Sequence, residues 1–255
     1  MSFVPPLLHY CWFGSGPEPH ADFRKGWRLL HPGSTVMRWD ETNAPLEHPY
    51  LRRVLRERSY SKAADFMRLW LMVNYGGIYL DADVECVRSL DSLRDRPFFV
   101  GFQREAGFDP LESVNSAVLG ACRGHWGASE LLRRLLAGDD GSQAPMESGP
   151  RLVSRLLVEL GLAYADEEVC LRSPTGESIH VMPRRAFYPY SWVEDADRTL
   201  VGPDTFAIHH WDGSWVAAWR ASRIQRVKRM SETASQLLEV GDAVVQGPSS
   251  LLPQQ

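Results

Sequence analysis

Three stretches of this 255-residue chain carry residue types that could do chemistry together. The first is Asp81-Ala82-Asp83, which follows the apolar run Ile78-Tyr79-Leu80. In an extended chain residues two apart point to the same side, so both carboxylates are expected to face one pocket at the end of a buried strand. Oxygen ligands with open positions between them suit a hard divalent ion, Mn²⁺ or Mg²⁺, that completes its shell with water and phosphate oxygens. The second is Asp65 with Arg68, two charges on one face of an otherwise apolar segment. Charges on a buried helix must be paired, hydrated in a cleft or used. The third is His209-His210, at the end of the short apolar run Phe206-Ala207-Ile208 and ahead of Gly213-Ser214-Trp215. Neutral imidazole and hydroxyl oxygen both ligate Mn²⁺, so His209, His210 or Ser214 could complete a shell begun by Asp83 and Asp81.

These side chains need elements to position them. Ala63 to Val73 is apolar nearly all the way round (Phe66, Met67, Leu69, Trp70, Leu71, Met72), which predicts a buried helix. Gly76-Gly77 ends it, and Ile78 to Leu80 reads as a buried strand running into the acidic pair. Upstream, Leu7 to Phe13 reads as a strand closed by turn residues, Ala21 to Leu30 as a helix, and Thr35 to Trp39 as a second strand ending at Asp40. A helix from Tyr50 to Arg58 presents arginines to solvent. Downstream come strands at Pro97 to Phe102 and Asn115 to Ala121. Helices follow at Ser129 to Leu136 and, entered through Gly149-Pro150, at Leu152 to Leu160. His125 is expected at the surface or at a helix entrance. Beyond residue 215 a basic amphipathic helix, 216–241, and a loose tail, 242–255, are expected. Alternating strands and helices define an α/β domain over residues 1–215.

The run Ala64-Asp65-Phe66-Met67-Arg68, followed by Tyr75-Gly76-Gly77-Ile78-Tyr79-Leu80-Asp81-Ala82-Asp83, resembles the central signature of the DXD-containing sugar transferases. These include the yeast-type initiating mannosyltransferases, capsular polysaccharide transferases and, remotely, the clostridial glucosylating toxins. His9-Tyr10-Cys11-Trp12-Phe13-Gly14 is similar to the family's opening strand, Asn115 to Ala121 to its Asn-x-x-x-x-Gly-Ala strand, and His209 to Trp215 to its C-terminal element. The resemblance implies a single GT-A-type nucleotide-binding domain with a mixed, mostly parallel sheet. It also implies metal-dependent transfer of a sugar from a nucleoside diphosphate with retention of configuration, UDP-sugars being favoured and GDP-mannose being the other donor. By the same resemblance Trp12, beside Tyr10, stacks on the base, Asp40 sits at the nucleotide edge, and Asn115 lies in the sugar pocket. Ser214 and Trp215 would cover the diphosphate. Of the two histidines His209 is the favoured match, although the doubled residue leaves the choice open.

Composition bounds the remaining classes. A net charge of −4 gives no general pull toward nucleic acid or anionic membrane. The four cysteines are scattered without Cys-x-x-Cys spacing, which suggests reduced thiols rather than zinc or a disulfide framework. The N-terminus lacks a basic region followed by a long apolar core, and no run approaches the ~20 apolar residues of a membrane span, so a soluble cytoplasmic protein is expected. The basic C-terminal helix leaves room for peripheral membrane contact. The partners implied are a nucleotide-sugar and a sugar, lipid-linked or small-molecule acceptor. Two rival classes use some of the same features. A haloacid-dehalogenase-type phosphohydrolase also has Asp-x-Asp after a buried strand, but it wants Thr or Val where this chain has Glu85. A non-catalytic sugar-binding module would need no acidic pair.

Overall fold

The structure, a computed structural model, describes residues 3–104, 109–138, 148–191 and 197–212. Residues 1–211 cluster as one compact unit and 212–255 as another. The helix and tail expected beyond 216 lie outside the described residues.

The first unit is built on a seven-stranded sheet in the order β2-β1-β3-β6-β5-β8-β7. Its strands are β1 Leu7–Cys11, β2 Thr35–Trp39, β3 Gly77–Leu80, β5 Phe98–Phe102, β6 Val114–Ala121, β7 Val169–Arg172 and β8 Ser178–Met182. β1 pairs in parallel with β2 and β3, and β5 with β8; β6 and β7 run against their neighbours. Five of the seven strands therefore point one way, the mixed, mostly parallel α/β sheet expected from the alternation of elements. A second, two-stranded sheet pairs β4 Val84–Cys86 with β9 Ala207–His209.

Alternation along the strands splits the core into two layers. Cys11, Tyr79, Val100 and Leu119 join the apolar faces of helices α2 Pro49–Arg56, α3 Tyr60–Asn74, α4 Trp126–Gly138 and α5 Pro150–Glu159. Tyr10, Ile78, Leu80, Phe99 and Val118 pack instead with Trp27 of α1 Ala21–Leu30, with Val84 and Cys86, and with the single turn α6 Arg184–Phe187. Because α3 is apolar on most of its surface, it sits between α2, α4 and the sheet, with Phe66, Met67, Leu71 and Met72 fully buried.

The turn from α3 into β3 depends on glycine. Gly76 and Gly77 have φ of +68° and +110°, and a Cβ on them would lie 2.6 Å from Arg123 N and 2.8 Å from Leu7 O respectively. No other residue fits that close approach.

Several expectations need correction. Asp81 and Asp83 do not lie on one extended strand: β3 ends at Leu80, and Val84 N donates to Asp81 O at 3.0 Å, closing a tight turn before β4. α2 stops at Arg56, because Arg58 takes a left-handed φ of 53° and Ser59 N bonds back to Val54 O. His125 does stand at the entrance of α4, accepting from Gly127 N through Nδ1, yet it is buried, with Nε2 on Ser178 O. Among the described residues no helix is long and apolar enough to cross a membrane.

Candidate active site

Helix α3 carries Asp65 and Arg68 into the space beyond β3, and both are buried. Arg68 is the hub. Its Nη2 donates to Asp81 Oδ1 at 2.9 Å and its Nη1 to Ser116 Oγ of β6 at 2.6 Å, while Nη1 also lies 3.4 Å from Asp65 Oδ1. The guanidinium rests over the Tyr79 ring, 5.0 Å from its centroid. Burial alone would discharge Arg68, but Asp81 and Asp65 outweigh it and hold the cation more firmly than usual. Asp65 turns its other oxygen to Ser148, whose Oγ donates at 2.7 Å. Next to Ser148, Gly149 has no side chain, and a Cβ there would stand 3.1 Å from Asp65 Oδ1. Burial raises the Asp65 carboxyl above its ordinary range, with Arg68 and Ser148 opposing. Asp81 is raised too, by burial first and by Asp83 second, against the pull of Arg68.

The second half of the site is assembled by the small sheet. β4 follows the acidic turn directly, and its register with β9 places His209 opposite Val84. A backbone bond from His210 N to Asp83 O at 3.1 Å fixes that register at the turn itself. His209 Nε2 then lies 3.3 Å from Asp83 Oδ1. One donor atom each from Asp81, Asp83 and His209 falls within 4.8 Å of the others. Burial would lower the His209 pKa, but Asp83 and Asp81 together outweigh it and raise it.

This donor set fits a divalent ion: two hard oxygens and an imidazole nitrogen, where bonds of ~2.1 Å require ligand atoms about 3 to 4 Å apart. Among the described residues the Nδ1 of His209 is buried with no hydrogen-bond partner. The acidic turn is also gripped from behind by α1. Arg24 Nη1 donates to Ala82 O at 2.5 Å and Trp27 Nε1 to Val84 O at 3.0 Å.

The structure thus brings Asp65, Arg68, Asp81, Asp83 and His209 together, and it separates the two histidines. His210 faces away: its Nε2 is 2.9 Å from Glu85 Oε2 and its Nδ1 3.2 Å from the Tyr190 hydroxyl, with the ring stacked on Phe23. Trp12 is half-buried just past β1, its indole N–H bonded to Gly16 O. Tyr10 is buried in the α1 layer, against Trp27 and under the Arg24 guanidinium. Asp40 Oδ1 accepts from Thr42 N and Oγ1, and Oδ2 is taken by Arg38. Asn115 is buried on β6, its amide donating to Gln103 Oε1 and its carbonyl accepting from Ala117 N. Ser214 and Trp215 lie outside the described residues.

Sequence reasoning missed Ser116 and Ser148. Ser116 had no signal of its own beside Asn115. The Gly149-Pro150 helix entrance had marked the place of Ser148 without suggesting that its hydroxyl reaches back to Asp65.

Parts of the chain are similar to known proteins. The family described as "Glycosyltransferase sugar-binding region containing DXD motif" matches residues 17–99, a span holding Asp65, Arg68, Asp81 and Asp83. Inositol phosphoceramide mannosyltransferase 3 of Schizosaccharomyces pombe is 28% identical over 138 residues, 52% of this chain and 37% of its own length. The chain therefore spans about a third of that relative. An uncharacterized glycosyltransferase of Acanthamoeba polyphaga mimivirus is 22% identical over 232 residues, 87% of each chain. Among solved structures, the PaToxG glycosyltransferase is similar at a TM-score of 0.47 and 16% identity, over 62% of this chain and 70% of its own. Residues 17–99 are thus similar to the DXD-containing sugar-binding region of that glycosyltransferase family.

Proposed function

We propose that the chain is a metal-dependent glycosyltransferase that moves a sugar from a nucleoside diphosphate to an acceptor hydroxyl, retaining its configuration. The observation that carries this reading is the convergence of Asp81, Asp83 and His209 beside the Arg68–Asp65–Ser148 cluster. Asp81, Asp83 and His209 would hold Mn²⁺ or Mg²⁺. When bound, that ion supplies Lewis-acid stabilisation of the charge that develops on a departing diphosphate.

The chain's own residues supply the rest. Arg68 fixes the Asp81 carboxylate through a charge-assisted bond, so the acidic turn enters the reaction already oriented. Asp65 is a buried acceptor for sugar hydroxyls, and Ser148 holds its orientation from the entrance of α5. Trp12 offers a half-buried ring to the base. The donor is a UDP-sugar or GDP-mannose. The mannosyl group in the name of the Schizosaccharomyces pombe relative supports testing the second as seriously as the first. The acceptor is a sugar, lipid-linked or small-molecule hydroxyl. A phosphohydrolase would need Asp81 as a free nucleophile, whereas here Arg68 holds it.

The test is turnover of UDP-sugars and GDP-mannose, by hydrolysis or transfer, with Mn²⁺ and with chelator. Asp83→Ala is expected to abolish metal-dependent turnover while far-ultraviolet circular dichroism stays unchanged. Wild-type turnover in that variant would sink the proposal, and NMR of the anomeric proton in the product tests retention.

A further inference from the structure

At the far edge of the large sheet, remote in topology from the acidic turn, a thiol on β7, an imidazole on β8 and a carboxylate just ahead of β7 are lined up. Cys170 and His180 are direct cross-strand partners in the antiparallel β7–β8 pair, so their side chains share one face. Cys170 Sγ lies 4.0 Å from His180 Nε2, and His180 Nδ1 lies 2.6 Å from Glu168 Oε1. Glu168 is itself gripped by Arg96, whose Nε and Nη2 donate to Oε1 and Oε2, each at 2.9 Å. Burial works against the Glu168 charge, but the bonds from Arg96 and His180 outweigh it and hold the carboxyl below its ordinary range.

The order of partners decides the tautomer. An ionised carboxylate only accepts, so the short contact requires the proton on His180 Nδ1. The neutral ring then presents the Nε2 lone pair to the sulfur. A nucleophile facing a base that is oriented by a third group is the arrangement that activates a thiol. Cys170 is also exposed, whereas Cys11, Cys86 and Cys122 are buried. Burial pushes the thiols of Cys11 and Cys86 up, away from reactivity.

We infer that Cys170 is a modification site, a surface thiol activated by His180 and Glu168 for exchange with low-molecular-weight disulfides. In the step, the Cys170 proton passes to His180 Nε2 and the sulfur attacks one sulfur of the disulfide. The protein–small-molecule S–S bond forms as the original S–S bond breaks, and the departing thiolate collects the proton from His180. The chain gains one mixed disulfide and one molecule of thiol is released, with no other oxidant consumed.

The experiment exposes the full chain to glutathione disulfide at neutral pH, follows the mass of the intact protein over time and maps the adduct by peptide mass spectrometry. One glutathione per chain is expected, on Cys170, and Cys170→Ser should remove it. His180→Gln and Glu168→Gln should each slow adduct formation at least about tenfold, the first by removing the base and the second by freeing its tautomer. Circular dichroism and thermal unfolding of both variants establish that the sheet edge is intact; should one of them fail to fold, the other carries the comparison. Reaction of both at the wild-type rate, or an adduct on a buried cysteine in the folded chain, would overturn the assignment.

Discussion

Arg68 explains how Asp81 and Asp83 can share a tight turn without repelling each other apart. It neutralises Asp81 on one side and faces Asp65 on the other, leaving Asp83 to His209. The two adjacent histidines have different contacts, and the proposed metal site makes them separable. His209→Ala is expected to weaken Mn²⁺ binding, read by electron paramagnetic resonance of the free ion, by tenfold or more, about 1.4 kcal/mol. His210→Ala should leave that affinity within a few-fold, since its ring is spent on Glu85 and Tyr190. Equal losses in both would contradict the division. Asp65 makes a second case. Its folded pKa is raised by burial, so the folded state binds its proton more tightly than the unfolded chain does. Stability therefore falls as pH rises through the folded value, and at neutral pH the charge is a net cost. Asp65→Asn keeps the shape and an acceptor for Ser148, so its melting temperature should equal or exceed that of wild type while turnover drops by roughly 100-fold. A markedly lower melting temperature would show that Asp65 is a structural counter-ion first.

At the scale of elements, the site depends on chain segments that meet only in the folded molecule. β1 is tied to the α3–β3 turn by His9, whose Nε2 donates to Gly76 O at 2.9 Å while Nδ1 accepts from Trp39 Nε1 at 3.2 Å. Both ring nitrogens are satisfied only in the neutral form. Burial lowers the His9 pKa from 6.5 to about 4, with the Gly76 bond opposing. A histidine depressed in the folded state binds its proton more readily when unfolded. Its contribution is thus complete above pH 6.5 and is lost as pH falls toward 4, up to about 3 kcal/mol. Urea unfolding at pH 7 and at pH 4.5 checks this. His9→Gln should destabilise the chain at pH 7, yet lose less on acidification than wild type does. Parallel losses in the two proteins would place the acid sensitivity elsewhere.

Across the whole molecule, what could be read in advance tracks how local the physical cause is. The glycine turn, the apolar helix before it and the acidic pair after it are adjacent in sequence, and they stand as expected apart from the turn that replaces an extended Asp81–Asp83 segment. α1 and β2 were legible to the residue because turn residues punctuate both. β4 and β9 are three residues each and exist only through mutual pairing across nearly half the chain, so neither has a period of its own. β7 and β8 carried no motif, and the Cys170–His180 pairing arises from register alone. His125 reads as a polar helix entrance, but the packing of β5 and β8 closes over it. A site assembled from such distant parts couples ligand binding to global stability. Each ligand that binds only the folded chain should raise its melting temperature by mass action. At 100 times its dissociation constant a nucleotide adds about 2.7 kcal/mol, or roughly 5 to 10 °C for a chain of this size. The expectation is a rise with Mn²⁺ and either UDP or GDP, absent with chelator and absent in Asp83→Ala. A rise with one nucleotide alone identifies the base of the donor. If neither nucleotide shifts the transition in the presence of metal, the acidic turn does not serve a nucleotide-sugar, and the proposed transfer reaction falls with it.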